Sequence, residues 1–429
     1  MLWLYRLLFL PALLLSAPFY VRRMRRRGGY RENFGHRFGR IDGLPPKQPG
    51  RKRIWLQAVS VGEILAIGPM LEAWQRDGDV EVYLTTTTST GYRLAEERYR
   101  NQVAGIGYFP IDWWGFSRRA WQRIQPDLVI LTEGERWPEH IHQAEIRGVP
   151  VVCINARLSD RSYRRMRRVK WAVAPLLSGV TRLLPCSTHD EERFREFGFA
   201  GERIFTTGNI KLDVAIPRLS EEELSELRRK LGLPAGLVLM GSSTWPGEEE
   251  ALVAAWKLAR GQGLSCALLI VPRHMERRGQ IETMLRTGGL KYHLRSQGAA
   301  PGEVEVAVGD TTGEMRQFLQ LADLVFVGKS LPPQTEGQTP VESAVLGRPL
   351  VFGPGMGNFR VIAQELVAEG AAVQVPDAAA LGATVGELLR DATRREALAT
   401  AARAWHRVNS GALQRTLAVV REELGKAGV

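Results

Sequence analysis

The chain has 429 residues, 44% of them hydrophobic and 24% charged, which is enough apolar content for packed cores and excludes a disordered or fibrous polymer. Single cores stop growing beyond about 250 to 300 residues, so two domains of roughly 200 residues are expected. The net charge of +12 suits an anionic partner, and because no nucleic-acid module is recognisable, an anionic membrane surface is favoured and nucleic acid is not.

Residues 1–20 are almost wholly apolar apart from Arg6, and Arg22, Arg23, Arg25, Arg26 and Arg27 follow at once. A cleaved signal peptide carries its charge before the apolar run, whereas here the dense charge comes after it, so an uncleaved membrane anchor with a basic flank is expected over 1–27. The positive-inside rule then puts the body of the protein on the cytoplasmic side; Arg6 and two prolines leave a spanning and an interfacial helix both open.

Strand-like runs at 54–60, 80–86, 104–109, 127–132, 149–154 and 182–186 alternate with helical patterns. That alternation predicts a parallel sheet whose ligands lie beyond the carboxyl ends of its strands. The first run passes into Val59-Ser60-Val61-Gly62-Glu63, which sets a carboxylate at a strand-to-helix turn where Ser60 and Gly62 let a substrate approach the backbone. Glu63 is the candidate catalytic base; the plainer reading is a carboxylate that favours a helix start. The threonines at 85–88, Glu133 and Asn155 fall at the same rim, and Glu135 with Arg136 reads as a structural ion pair. Trp113, Trp114 and Trp121 read as packing residues ahead of a membrane surface. Arg161, Arg164, Arg165, Arg167, Arg168 and Lys170 form a second basic cluster, which fits either anionic lipid or a solvated helix face.

A link at 208–217 leads into a glutamate-rich helix near 219–230, and a second strand series follows at 237–241, 267–271, 304–308, 323–327 and 349–352. This predicts another doubly wound domain. Pro272 and Arg273 end one of its strands, where a cation can meet a phosphate. Residues 312–315, including Gly313, Glu314 and Met315, form a strand-to-helix junction with backbone donors for an anion. In Thr339-Pro340-Val341-Glu342 the proline orients a helix and a carboxylate one turn in can accept both hydroxyls of a ribose. Residues 378–425 form a helical tail without a substrate-like motif, and Cys153, Cys186 and Cys266 lack the spacing of a disulfide framework or a metal site.

Taken in order, Tyr30-Arg31-Glu32-Asn33-Phe34-Gly35, the Val59 to Glu63 turn, Glu133-Gly134-Glu135-Arg136-Trp137-Pro138, Asn155-Ala156-Arg157-Leu158-Ser159, Gly208-Asn209-Ile210-Lys211-Leu212-Asp213, Val271-Pro272-Arg273-His274, Gly309-Asp310-Thr311 and Gly353-Pro354 resemble one family. The set is similar to the 3-deoxy-D-manno-octulosonic acid (Kdo) transferases of lipopolysaccharide synthesis over nearly the whole chain. The resemblance implies an α/β fold of two Rossmann-like domains facing a cleft, the GT-B glycosyltransferase architecture, after an N-terminal membrane-anchor helix. The expected division is the anchor at 1–27, an acceptor-binding domain at 28–215 and a CMP-sugar-binding domain with terminal helices at 216–429, one part of the tail crossing back to the first domain. The implied reaction is inverting transfer of Kdo from CMP-Kdo to a lipid A precursor (lipid IVA) at the cytoplasmic face of the inner membrane, without a metal or resident cofactor. It implies Glu63 as base, supporting transition-state roles for Glu133 and Lys211, and a CMP site built from Pro272, Arg273, Gly313, Glu314, Met315, Thr339, Pro340, Val341 and Glu342.

The chain departs from the family pattern around the donor. A Gly-Gly-Ser-Leu segment reads Gly328-Lys329-Ser330-Leu331, Gly-Gly-His-Asn-Pro reads Glu336-Gly337-Gln338-Thr339-Pro340, Ser-Thr-His reads Ser243-Thr244-Trp245, and Gly-Pro-His reads Gly353-Pro354-Gly355. Transfer of a different CMP-activated ulosonic acid therefore stays open, as do a sugar-nucleotide epimerase and a catalytically inactive membrane scaffold. The number of residues transferred, the acceptor's acylation and the oligomeric state are not legible in the sequence.

Overall fold

The computed structural model describes residues 1–26 and 32–427; Arg27 of the basic flank and Tyr30 and Arg31 of the motif at 30–35 lie outside the described residues. The chain forms two compact units, Met1–Asp213 with Ser410–Val429, and Val214–Asn409.

In the first unit six strands, β1 (Lys52–Gln57), β2 (Val80–Thr86), β3 (Gly105–Tyr108), β4 (Leu128–Thr132), β5 (Val151–Ala156) and β6 (Arg182–Pro185), pair in the order β3-β2-β1-β4-β5-β6. Every pairing is parallel. Helices cover both faces, so the central strands are apolar on both sides. Ile54 and Leu56 pack on one face with Ile64, Met70, Leu71 and Trp74, while Trp55 turns to the other face with Phe109 and Trp121. Trp121 is thus a core residue as expected, but Trp114 is 44% exposed.

The second unit holds seven strands, β7 (Leu237–Thr244), β8 (Cys266–Pro272), β9 (Tyr292–Leu294), β10 (Val306–Val308), β11 (Leu324–Val327), β12 (Leu350–Phe352) and β13 (Ala372–Gln374). They pair in the order β13-β12-β11-β7-β8-β10-β9, again all parallel. The edge strands β9 and β13 are not foreseen from sequence, whereas the equally short β10 and β12 lie within the apolar runs at 304–308 and 349–352.

The final helix, Ala412–Lys426, belongs to the first unit. Its residues Ala412, Leu417, Val420 and Leu424 join the core beneath Ile64, Ile67 and Met70, so the expected second domain ends about twenty residues before the chain does. Asp213 fixes the start of this helix by accepting the backbone N–H groups of Gly411 (2.6 Å) and Leu413.

Among the described residues one helix is long and apolar enough to cross a membrane, Leu2–Arg26, whose window Leu2–Phe19 has mean hydropathy 1.6 and no buried residue. Two polar side chains near its start turn toward the first unit. Tyr5 donates to Asp112 (2.6 Å), and Arg6 forks onto the fully buried Glu139 at 2.7 and 3.0 Å. The interruption that Arg6 makes in the apolar run is therefore a docking contact. The second basic cluster lies on the helices Asp160–Arg168 and Lys170–Leu176, neither of which buries a residue.

Candidate functional site

In the first sheet the strand order reverses between β1 and β4; in the second it reverses between β7 and β11, and β10 is inserted between β8 and the edge strand β9. Such switch points open a crevice at the carboxyl ends of the flanking strands, where ligands of open α/β sheets bind. The candidate residues divide between these two places.

In the first unit β1 runs into the helix Val61–Ala66, whose N-cap is Ser60. Glu63 is 8% exposed and its carboxylate accepts three hydrogen bonds, from Val59 N–H (3.0 Å), the Ser60 hydroxyl (2.9 Å) and the Thr132 hydroxyl at the end of β4. The plain helix-start reading is thus realised in the geometry, since Ser60 also accepts the Glu63 N–H. An ionised carboxylate has about four acceptor sites, so one of them is left over.

Glu133, the next residue after Thr132, has a left-handed backbone (φ 47°), as has Asn155, within the last two residues of β5 (φ 50°). Two residues with side chains held in this region at neighbouring strand ends store strain, which concentrates at functional sites. Glu133 pairs with the Lys211 ammonium, and Asn155 accepts the N–H of Ile210 at 3.1 Å, which fixes the short turn Ile210–Leu212 that carries the lysine. Lys211 Nζ also stands 3.7 Å from where a Cβ on Gly62 would lie, so the structure gathers Glu63, Glu133 and Lys211 at one rim. Thr86 and Thr88 both donate to the Val59 carbonyl at 3.1 Å and so hold the turn in shape.

Glu135 and Arg136 do not form the expected pair. Glu135 accepts from the Trp137 indole at 2.7 Å, while Arg136 donates to the Glu133 carbonyl at 3.2 Å and lies 4.9 Å over the Phe194 ring. Burial, followed by the nearby Glu63 charge, pushes the Glu135 carboxyl up to about 7 against the opposing Trp137 hydrogen bond. Sequence reasoning missed this group because its shift comes from residues distant along the chain.

In the second unit the predicted donor residues cluster at the carboxyl rim. Pro272 ends β8, and the Arg273 side chain is exposed beside it. Gly313 (φ 90°) and Glu314 precede the helix Met315–Leu321, and Met315 accepts weakly from Ser242 on β7 at 3.5 Å. Glu314 pairs with Arg295 at 3.0 Å, and both line an open cavity of about 590 Å³ with Ser296, Asp310 and Thr312. Thr339 accepts the N–H of Val341 (3.3 Å), Pro340 caps the helix Val341–Val345, and Glu342 pairs with Arg316 at 2.7 Å.

A buried carboxylate absent from the sequence-based set organises this rim. Glu248 accepts four backbone N–H groups: Trp245 (2.9 Å), Lys329 (2.8 Å), Ser330 (2.8 Å) and Leu331 (3.1 Å). It ties the end of β7 to the end of β11 across the switch point. A run of glutamates at a helix start gives no hint of this, because its partners lie about eighty residues on. Among the described residues no group of three or more His, Cys, Asp or Glu is placed to hold a metal ion.

Comparison with known proteins bears on the whole chain. Residues 32–214 match the family described as 3-deoxy-D-manno-octulosonic-acid transferase (kdotransferase). The 3-deoxy-D-manno-octulosonic acid transferase of Bordetella pertussis is 35% identical over 416 residues, covering 94% of this chain and 95% of that protein. The enzyme of the same description from Haemophilus influenzae is 30% identical, covering 97% and 95%. Among solved structures, a glycosyltransferase from Rickettsia africae superimposes with a TM-score of 0.57 at 12% identity, covering 87% of this chain and 99% of that one. The UDP-GlcNAc 2-epimerase from Neisseria meningitidis gives the same TM-score at 11% identity, covering 87% and 100%. At such identities the last two establish the twin-sheet fold alone.

Proposed function

The chain belongs to the 3-deoxy-D-manno-octulosonic acid transferase family, and from that premise we propose that it moves Kdo from CMP-Kdo to a hydroxyl of a lipid A precursor with inversion at the transferred carbon. The observation that carries the reading is the trio Glu63, Glu133 and Lys211 at the β1/β4 switch point. Glu63 is the base. The acceptor oxygen bonds to the anomeric carbon as the bond from that carbon to the phosphate oxygen breaks; the hydroxyl proton passes to the free acceptor site of Glu63, and CMP leaves with the electron pair. Lys211, oriented by Glu133, supplies a point charge to anionic character in the transition state.

The second unit holds the CMP part through Pro272, Arg273, Gly313, Glu314, Met315, Thr339, Pro340, Val341 and Glu342, the donor positions that the family resemblance implies. Glu342 reaches a ribose by releasing Arg316. The helix Leu2–Arg26 lies in the membrane interface at the cytoplasmic face of the inner membrane: Tyr5 and Arg6 hold its beginning against the first unit, which favours an in-plane helix over a spanning one.

Mass spectrometry of the lipid formed from purified protein, CMP-Kdo and a tetra-acylated precursor tests the reaction. Glu63→Gln keeps the shape of the side chain and removes the base, and general-base assistance is worth about 10² to 10⁴ in rate. We expect turnover to fall at least about a hundredfold with CMP affinity within a few fold of the parent. Near-normal turnover would remove Glu63 from the chemistry.

A further inference from the structure

We propose that Lys329 is an anion-binding, specificity-determining residue of the donor site, kept ready by Glu336 in the unliganded protein and handed to a negatively charged group of the donor on binding. The inference deepens the functional reading above and rests on it.

Lys329 is the second residue after β11, at the edge of the β7/β11 switch point. Its neighbour Gly328 has no room for a side chain, because a Cβ there would meet the Ser243 carbonyl oxygen at 2.4 Å. Lys329 itself has a left-handed backbone, φ 57°, a conformation that strains a residue with a β-carbon. The conformation is imposed from both sides: its N–H is held by Glu248 at 2.8 Å, and its carbonyl accepts the N–H of Gly337 at 2.8 Å. A lysine at a position that a glycine would fill without strain points to a use for the side chain.

That side chain is well placed. Nζ lies 4.2 Å from the centroid of the Trp245 ring, and Trp245 in turn packs edge-on against His274 at 5.2 Å, next to Arg273. Lys329 is 18% exposed and pairs with Glu336, which is 54% exposed and sits on the loop leading to Thr339 and Glu342. An exposed carboxylate on a half-buried ammonium is a replaceable occupant: an incoming carboxylate or phosphate satisfies the same cation while Glu336 moves to solvent. Three departures from the family pattern, Trp245, Lys329 and Glu336, are thus one assembly, with the ring below the ammonium and the carboxylate beside it.

The donor offers two anions, the phosphate of the CMP part and the carboxylate of the sugar. Binding of cytidine, CMP and CMP-Kdo is therefore measured for the parent, Lys329→Met and Glu336→Gln. The proposal expects opposite effects. Lys329→Met weakens the charged ligand about tenfold or more, the scale of a charge-assisted hydrogen bond, Glu336→Gln strengthens it a few fold, and Lys329→Arg retains it. Loss of the advantage of CMP over cytidine assigns the phosphate; loss confined to the advantage of CMP-Kdo over CMP assigns the carboxylate. Both variants weakening together, or Lys329→Met keeping both advantages, overturns the proposal and leaves a structural lysine. A parent protein without preference for CMP over UMP instead overturns the functional reading, and the donor-anion site falls with it.

Discussion

Glu135 and Glu248 are both carboxyl groups withdrawn from water, and their surroundings give them different tasks. Around Glu248 burial raises the carboxyl's pKa against four opposing N–H groups, and those four bonds make the group a clamp. Around Glu135 burial outweighs the Trp137 indole N–H, and its carboxyl is pushed up to about 7 where the ordinary value is 4.5. Below about 4.5 the folded and unfolded chains both carry the proton; between 4.5 and 7 the folded chain keeps a proton the unfolded chain has lost, so stability falls as pH rises through that window. Glu135→Gln removes the penalty. Allowing for partial exposure, we expect the variant to gain about 1 to 2 kcal/mol on the parent between pH 5 and pH 8 in urea unfolding. Parallel stability curves for the two proteins across that range would show that Glu135 titrates normally.

Elements were legible where they repeat a pattern over five residues or more, as β1, β2, β4 and β5 do, and the turn that presents Glu63 follows from the end of one such run. The edge strands β9 and β13 were not legible: they owe their pairing to the neighbouring strands β10 and β12, which are as short but lie in apolar runs. The helix Leu2–Arg26 shows the same limit, since its length and apolarity are plain in sequence but the destination of Arg6 is not. Removing residues 1–26 leaves Glu139 with Gln143 (2.7 Å) but without its cation, and a carboxylate in a largely enclosed place that loses its partner costs up to a few kcal/mol. We therefore expect the truncated protein to leave the membrane fraction with CMP affinity unchanged, because the donor residues lie in the other unit, but to melt earlier than the parent. Glu139→Gln in the truncated protein should recover much of the loss. If Glu139→Gln changes nothing there, the Arg6 contact does not hold the helix.

At the level of the whole molecule, two similar sheets each present a polar rim at the reversal of strand order, and both rims were legible because alternating strands and helices dictate them. The way the chain closes the first unit was expected from the family resemblance alone, because periodicity tells that residues 412–426 are helical and says nothing of which apolar face receives them. The receiving face, with Ile64, Ile67, Met70 and Leu71, lies at the other end of the chain and directly behind the turn that carries Glu63. Burying Leu417, Val420 and Leu424 contributes about 1.5 to 3 kcal/mol each, together comparable to the whole stability of a typical domain. A chain stopped after Asn409 should therefore lose the first unit while the second, Val214–Asn409, keeps its fold and its affinity for CMP. Hydrogen exchange read strand by strand checks this: protection should vanish from β1, β2 and β4 and persist in β7, β8 and β11. Full protection of β1 in the truncated chain would mean that the final helix covers the first unit without holding it together.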